Sequence, residues 1–390
     1  MTVLLIVSLL LLVIYISLLF YYRSAWKQIP AFDPSLSNLG PTTFISVIIP
    51  ARNESGNLPR LLASISAQSY PAHLFEVLII DDHSTDSTAS MVRSYVAQNI
   101  RLISLQEHMA GNAINSYKKK AIEIGIGEST GTLIVTTDAD CYLPPNWLQT
   151  IAIFYEQYSP AFIAAPVAID CGKRFIEIFQ ALDFMTLQGI TGASVHKKIH
   201  SMCNGANMAY ERTAYYEVDG FKGIDSIASG DDMLLMHKIY KRFPDRVMFL
   251  RSKETIVHTD PVKTIGEFFN QRIRWASKAD KYDDKRIFLV LLLVYFFNAL
   301  LLFLPFVCIF WNIQSSIFNL HYTLPGLWAS LLILKTAAEL LFLIPVAKFF
   351  GKQQLLFLFP LMQPFHIVYT VIAGWLGKFG SYQWKERKVK

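Results

Sequence analysis

Two aspartates one residue apart follow an apolar run in the middle of the chain. Residues 133–141 read LIVTTDADC, and the apolar part predicts a buried strand. Because residues i and i+2 of an extended backbone point to the same side, Asp138 and Asp140 can converge beyond the strand end. Two close carboxylates repel each other unless a cation lies between them, and oxygen ligands suit Mg²⁺ or Mn²⁺. The alternative is an acidic turn that caps a helix beginning near Asn146.

A second pair of acids, Asp231 and Asp232, follows Ser229 and Gly230 and opens a segment with helical periodicity, residues 233–240. A carboxylate beside another acid has its ionisation shifted when the site is poorly solvated, and it can then serve as a general base. The alternative is that both acids cap the helix, because negative charge is favoured at a helix N-terminus.

The elements that must position these acids alternate between strand and helix. The pattern predicts strands at 45–50, 77–80, 100–105 and 133–137 and helices at 58–68 and 118–127. Such alternation predicts an α/β fold with a parallel sheet and helices on both faces. Three strands end in polar clusters: Arg52 to Glu54, Asp81 with Asp82, and Asp138 with Asp140. Clusters at the carboxyl ends of neighbouring strands predict one nucleotide-binding cleft. The chain has neither a P-loop nor a dinucleotide-binding fingerprint after a strand.

Composition places this domain between membrane segments. The 390 residues are 53% hydrophobic, above the usual value for soluble proteins, and the excess lies at the two ends. Residues 1–22 predict a transmembrane anchor, with a signal peptide as the competing interpretation. Arg23 and Lys27 follow this segment and predict a cytoplasmic domain after it. No Arg- and Lys-rich aromatic pattern indicates nucleic acid, and the four cysteines lack the spacing of a zinc site or a disulfide framework.

The C-terminal third, residues 286–380, predicts a transmembrane region. Segments 287–311 and 324–347 are each long enough to span a bilayer, and the loop 312–323 between them has no Lys or Arg, which predicts that it faces outward. Segment 355–376 is apolar but contains Pro360 and Pro364, so it either spans or forms a re-entrant or interfacial hairpin. Lys335 and Glu339 lie one turn apart inside the second span, and such intramembrane charges usually pair.

Several stretches resemble the family 2 inverting glycosyltransferases. These stretches are VIIPARNE at 47–54, DDHSTDST at 81–88 and TDADC at 137–141. Four more follow in the same order. Lys119-Lys120-Ala121 is similar to a Gly-Lys-x-x-Ala segment with Lys118 in place of the glycine; NGAN at 204–207 is similar to an acceptor-side loop. GDDMLL at 230–235 lies where that family has Glu-Asp-x-x-Leu, and QRIRW at 271–275 matches the Gln-x-x-Arg-Trp motif of membrane-bound synthases such as poly-N-acetylglucosamine and hyaluronan synthases.

The resemblance implies a GT-A-like nucleotide-sugar-binding domain over residues 43–261, flanked by transmembrane helices. It implies Asp232 as the catalytic base with Asp231 beside it, and a divalent metal, Mg²⁺ or Mn²⁺, held by Asp140 and Asp138. The implied substrate-binding residues are Pro50, Arg52, Glu54, Asp82, Lys119, Asp138, Asn207, Gln271, Arg274 and Trp275. Local turn capping is the alternative for Asp81 and Asp86, and a solvated charge run is the alternative for Lys119.

Residues 262–285 predict an interfacial helix. Gln271, Arg274 and Trp275 fall at i, i+3 and i+4 and therefore share one helix face. An indole can stack on an acceptor sugar, and a guanidinium can contact a diphosphate. The alternative is interface anchoring alone, because Trp and Arg are common at membrane surfaces. Residues 175–190 form a second, weaker candidate for a surface segment.

These features predict an integral enzyme of the plasma membrane with a cytoplasmic catalytic domain. It would transfer a sugar from a nucleotide-diphosphate donor, of which a UDP-sugar is the first expectation, to a lipid-linked or polysaccharide acceptor. The alternatives are a catalytically silent membrane scaffold or export component that retains the fold, and a nucleotidyltransferase.

Overall fold

The computed structural model of the chain has strands and helices in alternation between long apolar helices. It describes residues 2–389 except 38–39, 96, 98, 110–115, 200–201, 228–229, 279–283, 311–313, 318–319, 381 and 385–386. In chain order the elements are α1 (Thr2–Gln28), β1 (Ile45–Ala51), α2 (Leu58–Ser66), β2 (Phe75–Asp81), α3 (Thr88–Ser94), β3 (Ile100–Ser104), α4 (Tyr117–Gly127), β4 (Leu133–Thr136), β5 (Cys141–Tyr142), α5 (Trp147–Tyr158), β6 (Phe162–Ala164), β7 (Val167–Ile169), α6 (Phe175–Lys197), β8 (Met208–Glu211), α7 (Arg212–Glu217), α8 (Asp231–Arg242), β9 (Val247–Phe249), β10 (Val257–Thr259), α9 (Ile265–Ala276), α10 (Lys285–Phe310), β11 (Gln314–Ile317), β12 (Leu320–Thr323), α11 (Leu324–Phe350), α12 (Phe359–Phe379), β13 (Tyr382–Trp384) and β14 (Arg387–Val389).

The chain divides into two compact units. The sheet unit comprises residues 29–171 and 194–261, and the helical unit comprises residues 1–28, 172–193 and 262–390. The predicted domain ran without interruption from 43 to 261, whereas in the structure residues 172–193 pack within the helical unit. The physical reason is the chemistry of α6: its buried residues include Phe179 and Asp183, whose partners belong to the helical unit.

The main sheet of the sheet unit has, within the described residues, seven strands in the order β3-β2-β1-β4-β8-β6-β9. Its central strands β1, β2 and β4 are short runs of Ile, Val and Leu whose side chains are almost all buried. Such continuous apolar runs are typical of parallel strands covered on both faces. The register places Ala51 opposite Asp81 and Ile48 opposite Thr136, so the residues that follow all three strands come to one edge.

The sheet is mixed and not wholly parallel as predicted. Strands β1 to β4 are parallel, but β8 runs antiparallel to both β4 and β6. The strand–helix alternation that predicts parallel pairing holds only up to β4. Beyond it, β5 leaves the main sheet and pairs with β10 in a small second sheet of order β5-β10-β7.

The helical unit contains the membrane candidates. Among the described residues, four helices are long and apolar enough to cross a bilayer: Val3–Gln28, Lys285–Val307, Leu324–Phe350 and Gln353–Phe379. Helix α1 packs along α11 through ring contacts such as Tyr22 with Phe342, whose centroids are 6.2 Å apart. The predicted outward loop 312–323 lies partly outside the described residues, and its described parts are β11 and β12.

The charged pair predicted inside the second span is part of a buried polar cluster. Lys335 Nζ lies 2.8 Å from Glu339 Oε1 and donates to Gln363 Oε1 at 2.7 Å. Gln363 Nε2 donates to Glu339 Oε2 at 2.6 Å, and Tyr15 donates its hydroxyl to Glu339. The cluster joins α1, α11 and α12. Because each charged group is paired inside it, the two charges can lie in the apolar interior.

Candidate active site

Three elements of the sheet unit bring charged side chains together. Asp138 follows β4, Asp231 opens α8, and Lys118 lies in the first turn of α4. Lys118 Nζ is 2.7 Å from Asp138 Oδ1 and 3.1 Å from Asp231 Oδ2. One ammonium therefore bridges the two acidic pairs that stand out in the sequence.

A glycine allows this close approach. Gly205, in the loop before β8, donates its backbone N–H to Asp232 Oδ2 at 3.3 Å. A Cβ on Gly205 would lie 3.2 Å from both Asp231 Oδ2 and Lys118 Nζ. Thr136 of β4 donates its hydroxyl to the Gly205 carbonyl at 3.2 Å, which holds the loop against the central strand. The predicted loop 204–207 thus packs directly against the acids at the start of α8.

The two acids of α8 differ in exposure. Asp231 is 5% exposed and faces Lys118, whereas Asp232 is half-buried. Asp232 Oδ1 accepts the backbone N–H of Met233 at 2.7 Å, and Gly230 before the helix has a φ of 81°. The helix N-terminus favours both carboxylates, but the cap position is Gly230, and of the two acids it is Asp232 that accepts a backbone N–H of the first turn. Asp232 is also the more exposed of the two.

The environment of Lys118 keeps it charged. Burial alone disfavours the ammonium, but the nearby carboxylates of Asp138 and Asp231 outweigh burial and raise the pKa of Lys118 well above its usual value. The lysine is therefore a fixed positive charge between the two acidic pairs at neutral pH.

A second polar group lies at the ends of β1 and β2. Arg52 Nη1 donates to the Asp82 carbonyl at 3.0 Å and lies 3.8 Å from Asp82 Oδ1. His83 Nδ1 is 3.0 Å from the same Oδ1, and His83 adopts a φ of 55°, a left-handed conformation that costs energy for a residue other than glycine. Its ring meets Tyr117 edge-on at 5.9 Å. The Asp82 carboxylate is thereby held in place at this end of the sheet.

Other predicted residues of this region build turns. Asp86 accepts the backbone N–H groups of Thr88 at 2.9 Å and Ser55 at 3.1 Å. The slight desolvation of this exposed carboxylate opposes its charge, but the hydrogen bonds from the hydroxyls and backbone N–H groups of Thr88 and Ser55 outweigh it and lower the pKa of Asp86 well below its usual value. Asp81 accepts from Ser84 N at 3.3 Å, so the turn-capping alternative describes both residues.

Glu54 is nearly buried and accepts from Asn57 Nδ2 at 2.7 Å. Pro50 is part of β1.

The structure corrects the prediction for Lys119. Its side chain is 2% exposed, and Nζ donates to the carbonyls of Ile224 at 2.7 Å and Ile227 at 2.6 Å. It therefore holds the loop before α8, and Lys118 is the lysine at the site. The signal was present in the spacing, because Lys-x-x-Ala ending at Ala121 puts the lysine at 118.

The structure also corrects the prediction for Asn207, which is fully buried. Its amide nitrogen donates to the carbonyls of Pro166 and Thr255, each at 2.7 Å, and its oxygen accepts from Trp147 Nε1 at 2.9 Å. Both ends of the amide are used inside the protein, so Asn207 fixes the loop that carries Gly205.

Gln271, Arg274 and Trp275 belong to the helical unit, on α9. The amphipathic helix is shorter than the predicted 262–285, because Thr264 begins it with a capping box to Glu267 and it ends at Ala276. Gln271 and Trp275 both contact the neighbouring Arg272.

The donor atoms of the site fit a hard divalent ion that arrives with a phosphate. Asp138 is half-buried and Asp140 is exposed, so both carboxylates are accessible. Among the residues that the structure describes, no three His, Cys, Asp or Glu side chains are grouped so that they could hold a metal ion. Mg²⁺-type sites often have only one or two protein carboxylates, with water and substrate phosphates completing the shell. Two aspartates at a strand end are consistent with such a site.

Two family models of glycosyltransferases match the chain. A family model described as Glycosyl transferase family 2 matches residues 46–219, and one described as Glycosyl transferase family group 2 matches residues 133–371, more than half of the chain. The chain is 23% identical to the probable glycosyltransferase YdaM of Bacillus subtilis over 330 residues, which cover 78% of this chain and 72% of that protein.

A shorter match concerns the undecaprenyl-phosphate 4-deoxy-4-formamido-L-arabinose transferase of Shewanella sediminis. It is 31% identical over 117 residues, which cover 29% of this chain and only 34% of that protein. The fold is similar to that of the mannosyltransferase PcManGT from Pyrobaculum calidifontis, solved in complex with GDP-Man and Mn²⁺. The TM-score is 0.52 at 19% identity, covering 95% of this chain and 99% of that chain.

Proposed function

The chain belongs to the family 2 glycosyltransferases, and we propose that it transfers a sugar from a UDP-sugar to a lipid-linked or polysaccharide acceptor at the cytoplasmic face of a membrane. The observation that carries this proposal is the convergence of Asp138, Lys118 and the acids of α8 on one loop of the sheet unit. A GT-A-like α/β fold with four candidate spans is consistent with a membrane-bound transferase.

Residues at the ends of β1, β2 and β4 would bind the nucleotide-sugar donor. The Asp82 carboxylate, whose Oδ1 lies 3.0 Å from His83 Nδ1 and 3.8 Å from Arg52 Nη1, can accept a hydrogen bond from the imide N–H of uracil. Asp140 and Asp138 would hold the divalent ion, which would neutralise charge on the departing diphosphate when bound. The Lys118 ammonium is close enough to Asp138 to bind phosphate oxygens at the same place.

The acceptor side falls to Asp232. An acceptor hydroxyl attacks the anomeric carbon, the bond from that carbon to the phosphate oxygen breaks, and the hydroxyl proton passes to the Asp232 carboxylate. A single displacement of this kind inverts the anomeric configuration and needs no covalent nucleophile on the protein. Asp231, buried against Lys118, orients the lysine and keeps the start of α8 in place.

The test is turnover of a panel of radiolabelled UDP- and GDP-sugars by the purified protein in detergent, with a membrane lipid extract as acceptor. We expect release of a nucleoside diphosphate and labelling of a lipid or polymer product with inverted anomeric configuration. Release of pyrophosphate would instead indicate a nucleotidyltransferase. Binding of a donor without any turnover would indicate a silent scaffold that retains the fold.

The metal assignment makes its own prediction. Asp140→Asn removes one anionic ligand from an exposed position, so we expect most of the transfer activity to be lost and the Mn²⁺ concentration for half-maximal activity to rise on the order of tenfold. Asp245→Asn, at an exposed acid that pairs with Lys198, is the control and should behave like wild type. Near-normal turnover by Asp140→Asn in chelator-treated membranes would contradict the assignment.

A further inference from the structure

Three aspartates lie in register at one edge of the small second sheet. Strand β10 pairs in parallel with β7 and antiparallel with β5, which puts one residue of each strand in a single row: Ile169, Thr259 and Cys141. The next position of each strand in that direction is an aspartate: Asp170, Asp260 and Asp140. The Asp170 backbone N–H donates to the Thr259 carbonyl at 2.9 Å, so the pairing continues to this row. Because neighbouring strands lie about 4.8 Å apart, the register brings Asp140 beside Asp260.

One arginine pairs with two of these three aspartates. Arg60 of α2 donates from Nη1 to both carboxylate oxygens of Asp260, each at 3.1 Å. Its Nη2 donates to Asp170 Oδ2 at 3.2 Å. Like charges this close together repel, and the guanidinium offsets two of the three. The third is Asp140, to which we assign the metal.

The ring of Tyr142 in β5 fixes the position of this guanidinium. Arg60 Cζ lies 3.4 Å from the Tyr142 ring centroid, and the same ring stacks on His258 with centroids 5.0 Å apart. Asp170 accepts the Tyr142 hydroxyl and lies 2.8 Å from His258 Nδ1. An aromatic face attracts a guanidinium whether or not a carboxylate is present. Arg60 would therefore stay beside the row of aspartates if Asp260 were lost.

A guanidinium in this place can compete with a metal ion. Arginine binds carboxylates strongly, and a hard divalent ion needs the same oxygen atoms. Asp140 lies next to Asp260 in the row and two residues before Tyr142 in the chain. It is therefore the next carboxylate in the row to which Arg60 Nη1 could turn. The partner of Nη1 thus affects how readily Asp140 binds the ion.

We propose that Asp260 is a positioning residue for the metal site: it holds Arg60 Nη1 and so prevents the guanidinium from competing with the divalent ion for Asp140. Asp260 acts through the arginine and does not itself ligate the ion. Asp170 and Tyr142 keep the rest of the guanidinium in place. The inference rests on the proposed function, because it takes Asp140 as a metal ligand.

The test is a double-mutant cycle of Asp260→Asn and Arg60→Gln, read out by Mn²⁺ binding to the chain in detergent. Electron paramagnetic resonance measures free Mn²⁺ in the presence of UDP or GDP. With Arg60 present, we expect Asp260→Asn to raise the Kd for Mn²⁺ on the order of tenfold. In the Arg60→Gln background the same change should raise it about threefold or less, because no guanidinium remains to turn to Asp140. Arg60→Gln alone should bind Mn²⁺ at least as tightly as the wild type.

Two other roles of Asp260 give a different result. If Asp260 were a metal ligand, or if it only added negative charge near the ion, Asp260→Asn would raise the Kd by the same factor with and without Arg60. That result would overturn the proposal.

The exposure of the pair makes these variants usable. The Arg60 and Asp260 side chains are 47% and 57% exposed, so the substitutions should leave the unfolding temperature nearly unchanged. Glu217→Gln, at an exposed acid that pairs with Arg242, is the matched control and should change neither Mn²⁺ binding nor the unfolding temperature.

The same measurement separates this inference from the proposed function. If the wild type bound no Mn²⁺ in the presence of either nucleotide, the metal assignment itself would be contradicted. If it bound Mn²⁺ but Asp260→Asn had equal effects in the two backgrounds, only the role of Asp260 would be contradicted. Because binding is measured without turnover, the result does not depend on which sugar or acceptor is used.

Discussion

At the scale of single residues, two neighbouring lysines on α4 make different contacts. Lys118 bridges Asp138 and Asp231 at the site, whereas Lys119 turns into the protein and donates to two carbonyls of the loop before α8. Lys238 of α8 donates to two more carbonyls of that loop, those of Gly220 at 2.6 Å and Lys222 at 2.8 Å. The segment leading to the acids is therefore held from two helices.

This difference predicts two distinct phenotypes. Lys118→Met removes the ammonium that we propose binds the donor diphosphate, so we expect donor affinity to fall on the order of tenfold or more. Lys119→Met leaves buried carbonyls without donors and shifts the acids of α8, so we expect the transfer rate to fall on the order of 10²-fold with donor affinity preserved. The measurements are donor binding by calorimetry and single-turnover transfer.

Lys120→Met provides the matched control. Lys120 pairs with Glu123 at the surface of the same helix, so its loss should leave both quantities unchanged. Weak donor binding in Lys119→Met together with normal binding in Lys118→Met would mean that the two roles are exchanged.

At the scale of elements, α4 can approach the sheet closely because it has a glycine at the contact. A Cβ on Gly125 would lie 2.7 Å from Ile48 Cγ2 and 2.8 Å from Ile80 Cδ1, and both isoleucines belong to buried central strands. Since Lys118 and Lys119 lie on this helix, the same contact sets their distance from the acids.

Gly125→Ala should therefore destabilise the protein, by about 1–3 kcal/mol, through overpacking. Gly127→Ala in the same helix meets nothing within 4 Å and should be neutral or slightly stabilising, because alanine favours the helix more than glycine does. Unfolding in denaturant with both variants makes the comparison. Equal stability of the two variants would show that α4 does not pack as tightly as described.

Among the strands and helices, the sequence could predict the features whose pattern lies within one short stretch of residues. The strands β1, β2 and β4 and the meeting of their polar ends follow from short apolar runs and parallel pairing. The antiparallel entry of β8 and the role of Asn207 depend on contacts between segments far apart in the chain, which no local pattern contains. Trp275 shows the same limit: its motif is visible in the sequence, but its contact with Arg272 is not.

At the scale of the whole molecule, the membrane topology depends on whether α12 crosses the bilayer. Phe365 packs on Phe268 with ring centroids 5.7 Å apart, and a Cβ on Gly377 would lie 2.6 Å from Ala276 Cβ. Helix α12 therefore runs beside α9 for much of its length. Because α9 is amphipathic, it suits the bilayer surface. Residues 359–379 form one continuous helix, so the hairpin predicted as an alternative for residues 355–376 is wrong. The contact with α9 favours an interfacial placement of this helix over a full span.

We therefore expect a tag placed after Lys390 to lie on the same side of the membrane as the sheet unit, and a reporter within 312–323 to lie on the opposite side. Protease protection or impermeant thiol labelling of sealed vesicles measures both. A tag and reporter on the same side would contradict this topology, and α12 would then be a full span.

The central claim is that Asp232 is the base of a glycosyl transfer, and comparison of Asp232→Asn with Asp231→Asn tests it most directly. Asparagine keeps the shape of the side chain and can still cap α8, but it cannot take the proton of an acceptor hydroxyl. For Asp232→Asn we expect transfer to fall about 10²–10⁴-fold while donor affinity stays at the wild-type value. Asp231→Asn, which loosens Lys118, should have the milder effect on rate. Normal transfer by Asp232→Asn, or loss of transfer only in Asp231→Asn, would contradict the account.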